Sequence, residues 1–277
     1  MKNLQWNKNH TRYELITESS GALNWLFLPG GAGMDSSYMH GLIQNLELPG
    51  KCWSIDFLNN GSNMGEPIEF LIWKTHLVDL VKLFENVIIV GHSFGAMLAL
   101  MTAELGSLPK GFIAMNSSPV NWLPARAKLI KKTTLPILTD ALKKYRDNPT
   151  ETTFREFYKL SIPHLVTARG LTKGYELLKD LPYNFKAYDW WISSAATLLE
   201  IRWLPSDIPI LIICGSEDTV TPPYLFKDDL RFKAENIEIV DIPGGSHLCW
   251  IEEEEQVHSA FHHFVKRIHY KNTVSVS

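Results

Sequence analysis

The stretch Val87-Ile88-Ile89-Val90-Gly91-His92-Ser93-Phe94-Gly95 carries the first sign of chemistry in this chain. Four β-favouring apolar residues lead into a glycine, a lone serine stands between His92 and Phe94, and a second glycine opens the apolar, helix-forming run Ala96 to Leu100. G-x-S-x-G between a strand and a helix marks a sharp turn that exposes a serine hydroxyl at the carboxyl end of a sheet, with glycines where a Cβ would strike neighbouring backbone. A serine hydroxyl is a poor nucleophile in water. Such a turn does chemistry only if the chain also supplies a base, an acid to orient that base, and N–H donors for an oxyanion. Five-residue patterns arise by chance, so the motif needs its context. His92 adjoins the serine but lies on the wrong side of the turn to serve as its base.

The elements that must position this serine are legible as short β-rich apolar runs at 23–30, 51–58, 86–93, 111–117, 208–216 and 237–244, with helical segments between them. Runs that are apolar on both faces suit a mostly parallel sheet covered by helices on each side. Their alternation with helices predicts a doubly wound α/β architecture. Arg12 to Thr17 alternates in polarity instead, as an antiparallel edge strand would. The alternation lapses between 121 and 203, where helical patterns crowd together around Pro124, Pro136, Pro149, Pro163 and Pro182. We expect a core made of 1–120 and 204–277, with 121–203 inserted as a helical cap. This insertion holds 14 Lys and Arg against 8 Asp and Glu, so it is basic while the remainder of the chain is acidic. Solvated helix faces account for such a balance, and so does a lid that steers anionic substrates or touches an acidic surface. The last helix places Val257, Phe261, Phe264, Val265 and Ile268 on one apolar stripe, with Glu252 to Glu255 at its positive end and Lys266, Arg267 and His269 at its negative end.

Net charge is -3, so nothing in the overall balance points to nucleic acid. The three cysteines, Cys52, Cys214 and Cys249, are an odd number at wide spacings, which suits neither a disulfide framework nor a metal site and fits a reducing compartment. All three are expected to be small buried residues, with a reactive thiol at Cys249, two residues from His247, as the lesser alternative. No signal-like or membrane-spanning apolar run occurs, and a cytoplasmic location is expected. His258 and His262 are four residues apart, but no third ligand accompanies them, and no metal is expected. Gly30-Gly31-Ala32-Gly33 lacks dinucleotide-fingerprint spacing and no Gly-Lys-Ser/Thr follows it, so no nucleotide cofactor is implied.

Taken together, the elbow, the strand pattern and two later loops make the sequence similar to the α/β-hydrolase superfamily over nearly its whole length outside the insertion. The family's order of nucleophile, acid and histidine then assigns roles. Ser93 fills the nucleophile slot. Gly215-Ser216-Glu217-Asp218 with Pro222 resembles the acid loop, which makes Asp218 the acid, with Glu217 its local rival. Residues 111–120 contain no carboxylate, so the acid position some relatives use after the preceding strand is empty. Ile239 to Glu253 resembles the family's strand, glycine turn, histidine and helix, which makes His247 the general base. The oxyanion hole would be the backbone amides of Phe94 and Gly31, with Ala32 as alternate to Gly31, because Pro29-Gly30-Gly31 stands where many relatives have His-Gly-x. The stretch after Asp56 departs from the family's glycine pattern by carrying Asn59 and Asn60, and asparagine tolerates left-handed backbone. Likeness to prolyl aminopeptidases at residues 29–33 is partial, since Ala32 replaces their proline.

These residues imply attack on a carbonyl, an acyl-enzyme, and its hydrolysis by water. The expected substrate is a small to medium carboxylic ester or thioester. Tyr183, Phe185, Tyr188, Trp190 and Trp191 form an aromatic cluster; Tyr188, Trp190 and Trp191 are the candidates to line an acyl pocket, and packing inside the insertion is the competing use. A ligand-binding receptor and a C–C bond hydrolase or lyase are the alternatives, since fold alone does not decide function.

Overall fold

Side-chain alternation along each central strand builds the protein, which is described here from a computed structural model covering residues 4–274, with side chains through Ile268. Among the described residues eight strands are formed: β1 Leu4–Trp6, β2 Arg12–Glu18, β3 Asn24–Leu28, β4 Lys51–Asp56, β5 Val87–His92, β6 Gly111–Met115, β7 Ile210–Gly215 and β8 Ile237–Ile242. They make one sheet in the order β1-β2-β4-β3-β5-β6-β7-β8. β3 to β8 run parallel, whereas β1 and β2 are antiparallel to their neighbours. The Arg12 to Thr17 segment is therefore antiparallel as expected, but it is not the edge. The three-residue β1 covers it, too short to show a polarity pattern in sequence.

Trp25 and Phe27 of β3, Ile88 and Val90 of β5, and Ile113 and Met115 of β6 point into one buried layer. Their alternate neighbours Leu26, Leu28, Val87, Ile89, Phe112 and Ala114 point into the other. Period-two geometry thus sends adjacent apolar residues to opposite faces, and each face needs helices over it. The helices are α1 His40–Asn45, α2 Trp73–Val81, α3 Phe94–Leu100, α4 Leu123–Ile130, α5 Thr139–Asp147, α6 Glu151–Ser161, α7 Leu171–Leu178, α8 Phe185–Leu198, α9 Tyr224–Lys227, α10 Cys249–Glu252 and α11 Glu254–Val274. On α11, Phe261 stacks on Phe27 with centroids 6.4 Å apart and Phe264 meets Trp25 at 6.5 Å. The four glutamates do not share one helix start. The chain leaves helical geometry at Glu253 (φ -133°, ψ 53°), so only Glu254 and Glu255 occupy the first turn of α11.

Five helices, α4 to α8, lie between β6 and β7. Among the described residues, no helix is long and apolar enough to cross a membrane.

Candidate active site

β5 ends against a turn whose strain identifies it. Ser93 has φ 49° and ψ -113°, a region that non-glycine residues rarely occupy and that persists only where surroundings enforce it. The bracing is visible: the Ser93 amide donates to the Met115 carbonyl at 2.9 Å, and the Ser117 hydroxyl donates to the Ser93 carbonyl at 2.7 Å. A Cβ on Gly91 would overlap the Ala96 backbone, and one on Gly95 would meet the Leu28 carbonyl oxygen at 2.5 Å. Both flanking positions therefore exclude every other residue.

Asp218 lies beyond β7 and His247 beyond β8, and the two side chains meet although 29 residues separate them: His247 Nδ1 is 2.9 Å from Asp218 Oδ2. The carboxylate is 2% exposed, so its charge must be balanced within the protein. Oδ1 accepts from the Val220 and Thr221 amides at 2.7 and 2.9 Å, and Oδ2 accepts from the Thr221 hydroxyl at 2.8 Å. Burial by itself would raise this carboxyl's pKa, but His247 and these donors outweigh burial and bring it below its usual range. Because an ionised carboxylate only accepts, His247 Nδ1 carries a hydrogen. Nε2 of the neutral ring is then a lone pair, the form a base requires. Ser93 and His247 line one cavity of about 90 Å³ together with Gly31 and Phe94. Glu217, the local rival of Asp218, is exposed.

The amide of Phe94 opens α3 and has no acceptor in its own helix. Among the described residues the amides of Gly31, Ala32 and Phe94 donate no hydrogen bond within the chain. Gly31 takes φ +72°, and a Cβ there would overlap the Tyr183 hydroxyl. That hydroxyl donates to the Gly31 carbonyl at 2.6 Å. Next to it, the Asp35 amide bonds the Pro182 carbonyl at 3.0 Å and the Asn184 amide bonds the Gly33 carbonyl at 2.9 Å. Residues 182–184, between β6 and β7, thus hold the glycine loop from outside. The chain between β6 and β7 reaches the other two loops as well: the Leu248 amide bonds the Leu165 carbonyl at 3.0 Å, and the Thr219 hydroxyl donates to the His164 carbonyl at 3.2 Å. Glu252 accepts from the Ser246 amide at 2.7 Å and from the Thr167 amide.

Two residues that drew no role from sequence complete the frame. Asn116, just past β6 at φ 43°, donates its amide to Asp218 Oδ2 at 3.3 Å and to the Ser246 carbonyl at 2.9 Å. It belongs to the stretch after β6 that holds no carboxylate. Tyr38 receives the Gly30 amide at 2.8 Å and lies 2.6 Å from His92 Nδ1, while His92 Nε2 lies 3.0 Å from the His247 carbonyl. A carbonyl only accepts, so His92 carries its hydrogen on Nε2, and the Tyr38 hydroxyl donates to Nδ1. Burial, followed by the neighbouring His247, pushes the His92 pKa down to about 3. His92 is a neutral tie between the glycine loop, the elbow and the histidine loop. Nothing in the residue spacing signals either partner, because each contact forms only after strands from distant parts of the chain align.

The remaining sequence candidates separate cleanly. Tyr188 and Trp191 line the cavity, and Trp191 packs against Phe94 with centroids 4.9 Å apart. Trp190 does not line it; it packs among Phe70, Trp73 and Phe94, facing the other side of α8. The cysteines are all free and buried. The Cys249 thiol donates to Asn116 Oδ1 at 3.0 Å, and burial holds it far up in the protonated range, so it is a structural donor. Among the described residues no group of three or more His, Cys, Asp or Glu side chains is arranged to hold a metal ion. Asn59 takes φ 63°, so asparagine does carry the left-handed geometry of the turn after β4.

Sheet order and the serine-bearing turn define the class: an α/β protein of hydrolase architecture. The chain belongs to the alpha/beta hydrolase family, whose model matches residues 25–260. Its fold is similar to that of a proline iminopeptidase-related protein from Thermus thermophilus (19% identity, 97% of this chain and 98% of that one, TM-score 0.71). It is also similar to a thermophilic esterase from Thermogutta terrifontis (17%, 97% and 98%, 0.62) and to an N-formylmaleamic acid deformylase from Pseudomonas putida (13%, 91% and 95%, 0.59). No curated protein matches the sequence.

Proposed function

We propose that the protein is a serine hydrolase of small to medium carboxylic esters or thioesters, with Ser93 as nucleophile, His247 as general base and acid, and Asp218 as the residue that orients the imidazole. The observation that carries this reading is the 2.9 Å contact between His247 Nδ1 and Asp218 Oδ2, which keeps the Nδ1 hydrogen pointed at the carboxylate and makes Nε2 the ring nitrogen free to act as base beside the cavity that Ser93 and His247 line. Nε2 takes the hydroxyl proton as Ser93 Oγ bonds to the carbonyl carbon, and the electron pair of the C=O moves onto oxygen. The amides of Phe94 and Gly31 receive that oxyanion, with Ala32 as alternate donor. Collapse expels the alcohol or thiol, which takes the proton from His247 and leaves an acyl-Ser93. Water then repeats the sequence, giving a carboxylic acid and free serine. No step needs a cofactor. Residues 121–203 act as the cap, and Tyr188 and Trp191 supply apolar wall for the acyl group.

Hydrolysis of p-nitrophenyl acyl esters of increasing length tests this. Wild type is expected to show burst release and labelling by a fluorophosphonate, and Ser93→Ala to lose at least about a thousandfold in kcat. Ligand-induced thermal stabilisation without turnover would replace the hydrolase reading with a receptor.

A further inference from the structure

The cavity that holds Ser93 is small for the whole of an ester. At about 90 Å³ it accommodates the reacting carbonyl and a short group beside it. It does not end there, because Arg126, Phe157, Tyr188 and Ile192 line both this cavity and a groove of about 990 Å³ between α4, α5 and the loop joining them. The groove is walled largely by apolar side chains, among them Ile130, Leu135, Leu138 and Leu142.

Charge decides what fits the junction. Arg126 is the one side chain of permanent charge lining the Ser93 cavity, and it is half-buried among aromatic and aliphatic neighbours. Among the described residues it forms no ion pair and no side-chain hydrogen bond. Its positive charge is felt at Tyr188 and at His164. The carboxylate of the groove, Asp147, is bound by Lys143 at 2.5 Å, so it does not neutralise Arg126. Solvation explains an exposed lysine on a helix face, but it does not serve a guanidinium drawn partly out of water at the neck of an apolar channel. A carboxylate accepting two parallel N–H bonds does.

We infer that the substrate is an ester or thioester carrying a carboxylate near its reacting carbonyl, held by Arg126 at the neck between cavity and groove, with an apolar body extending into the groove. This rests on the serine-hydrolase reading above and names the substrate class for that site.

Two measurements test it separately from that reading. The first is the ratio of kcat/KM for mono-p-nitrophenyl glutarate over p-nitrophenyl hexanoate. Wild type is expected to favour the anionic ester, Arg126→Gln to reduce the ratio by about tenfold or more, and Arg126→Lys to restore part of it. The second is calorimetric binding of unhydrolysed mono-p-nitrophenyl glutarate to Ser93→Ala, expected to weaken by a similar factor in the Ser93→Ala/Arg126→Gln double variant. A ratio and a Kd that Arg126→Gln leaves unchanged would overturn the inference while ester cleavage upholds the hydrolase. Arg126-dependent binding with no cleavage of either ester by wild type would uphold Arg126 as the holder of a ligand carboxylate while overturning the hydrolase reading and the ester assignment that rests on it.

Discussion

Replacing His92 with glutamine isolates the energetic consequence of burying an imidazole beside Ser93. His92 is 1% exposed, and its pKa falls from an ordinary 6.5 to about 3 on folding, first through burial and then through His247. Between those two values the unfolded chain binds a proton that the folded protein refuses, so acid favours unfolding. The contribution is complete above about pH 6.5 and drains away as the pH falls toward 3. Linkage with these two values gives a loss of about 2 kcal/mol between pH 7 and pH 5, and about 4 kcal/mol by pH 3. Glutamine keeps an N–H able to reach the His247 carbonyl and never takes up a proton in this range. Urea unfolding of wild type and His92→Gln, followed by tryptophan fluorescence at pH 5 and pH 7, reads the difference directly. Glutamine lowers stability at pH 7 by losing the fit to Tyr38, but the gap between the two proteins is expected to shrink by about 2 kcal/mol at pH 5. Other titrating groups are common to both proteins and cancel. If wild type and variant lose the same stability between the two pH values, His92 is not held neutral, and the hydrogen-bond assignment through Tyr38 fails with it.

Gly31→Ala is expected to lower kcat by about a hundredfold, because a Cβ at φ +72° collides with the Tyr183 hydroxyl and Met34 and moves the loop amides; steady-state kinetics on a p-nitrophenyl ester checks it, and an unchanged kcat would remove this loop from the oxyanion hole. Asn116→Ala strips a donor from Asp218 and leaves the Ser246 carbonyl and the Cys249 thiol without their partner. It is expected to cost about 1–3 kcal/mol in stability and to lower kcat with KM little altered, measured by denaturation and by the same assay.

The strands were readable because each central one is a continuous apolar run, which a sheet covered on both sides demands of any sequence. The elbow at Gly91 to Gly95 was readable for a related reason: it is local, and close backbone approach bars a side chain at both flanking positions. The resemblance of the loops after β7 and β8 to those of the α/β-hydrolase superfamily singled out Asp218 and His247 before any contact between them was visible. The outer edge was not legible, since three residues of β1 carry too little pattern. The polar groups at 252–255 gave no sign that the backbone would break at Glu253.

What the amino-acid order determined by itself, then, was the order of the central strands with helices between them and the residue types at the ends of those strands, because both arise from periodicity and local backbone geometry. Tertiary structure alone decided which tautomer His92 holds, that Asn116 faces Asp218, that Trp191 reaches the cavity while Trp190 does not, and that Arg126 stands unpaired at its neck. Each of these depends on atoms far apart along the chain, and on which side of a helix meets the sheet. Hydrogen bonds and exposure have no value until packing sets those distances.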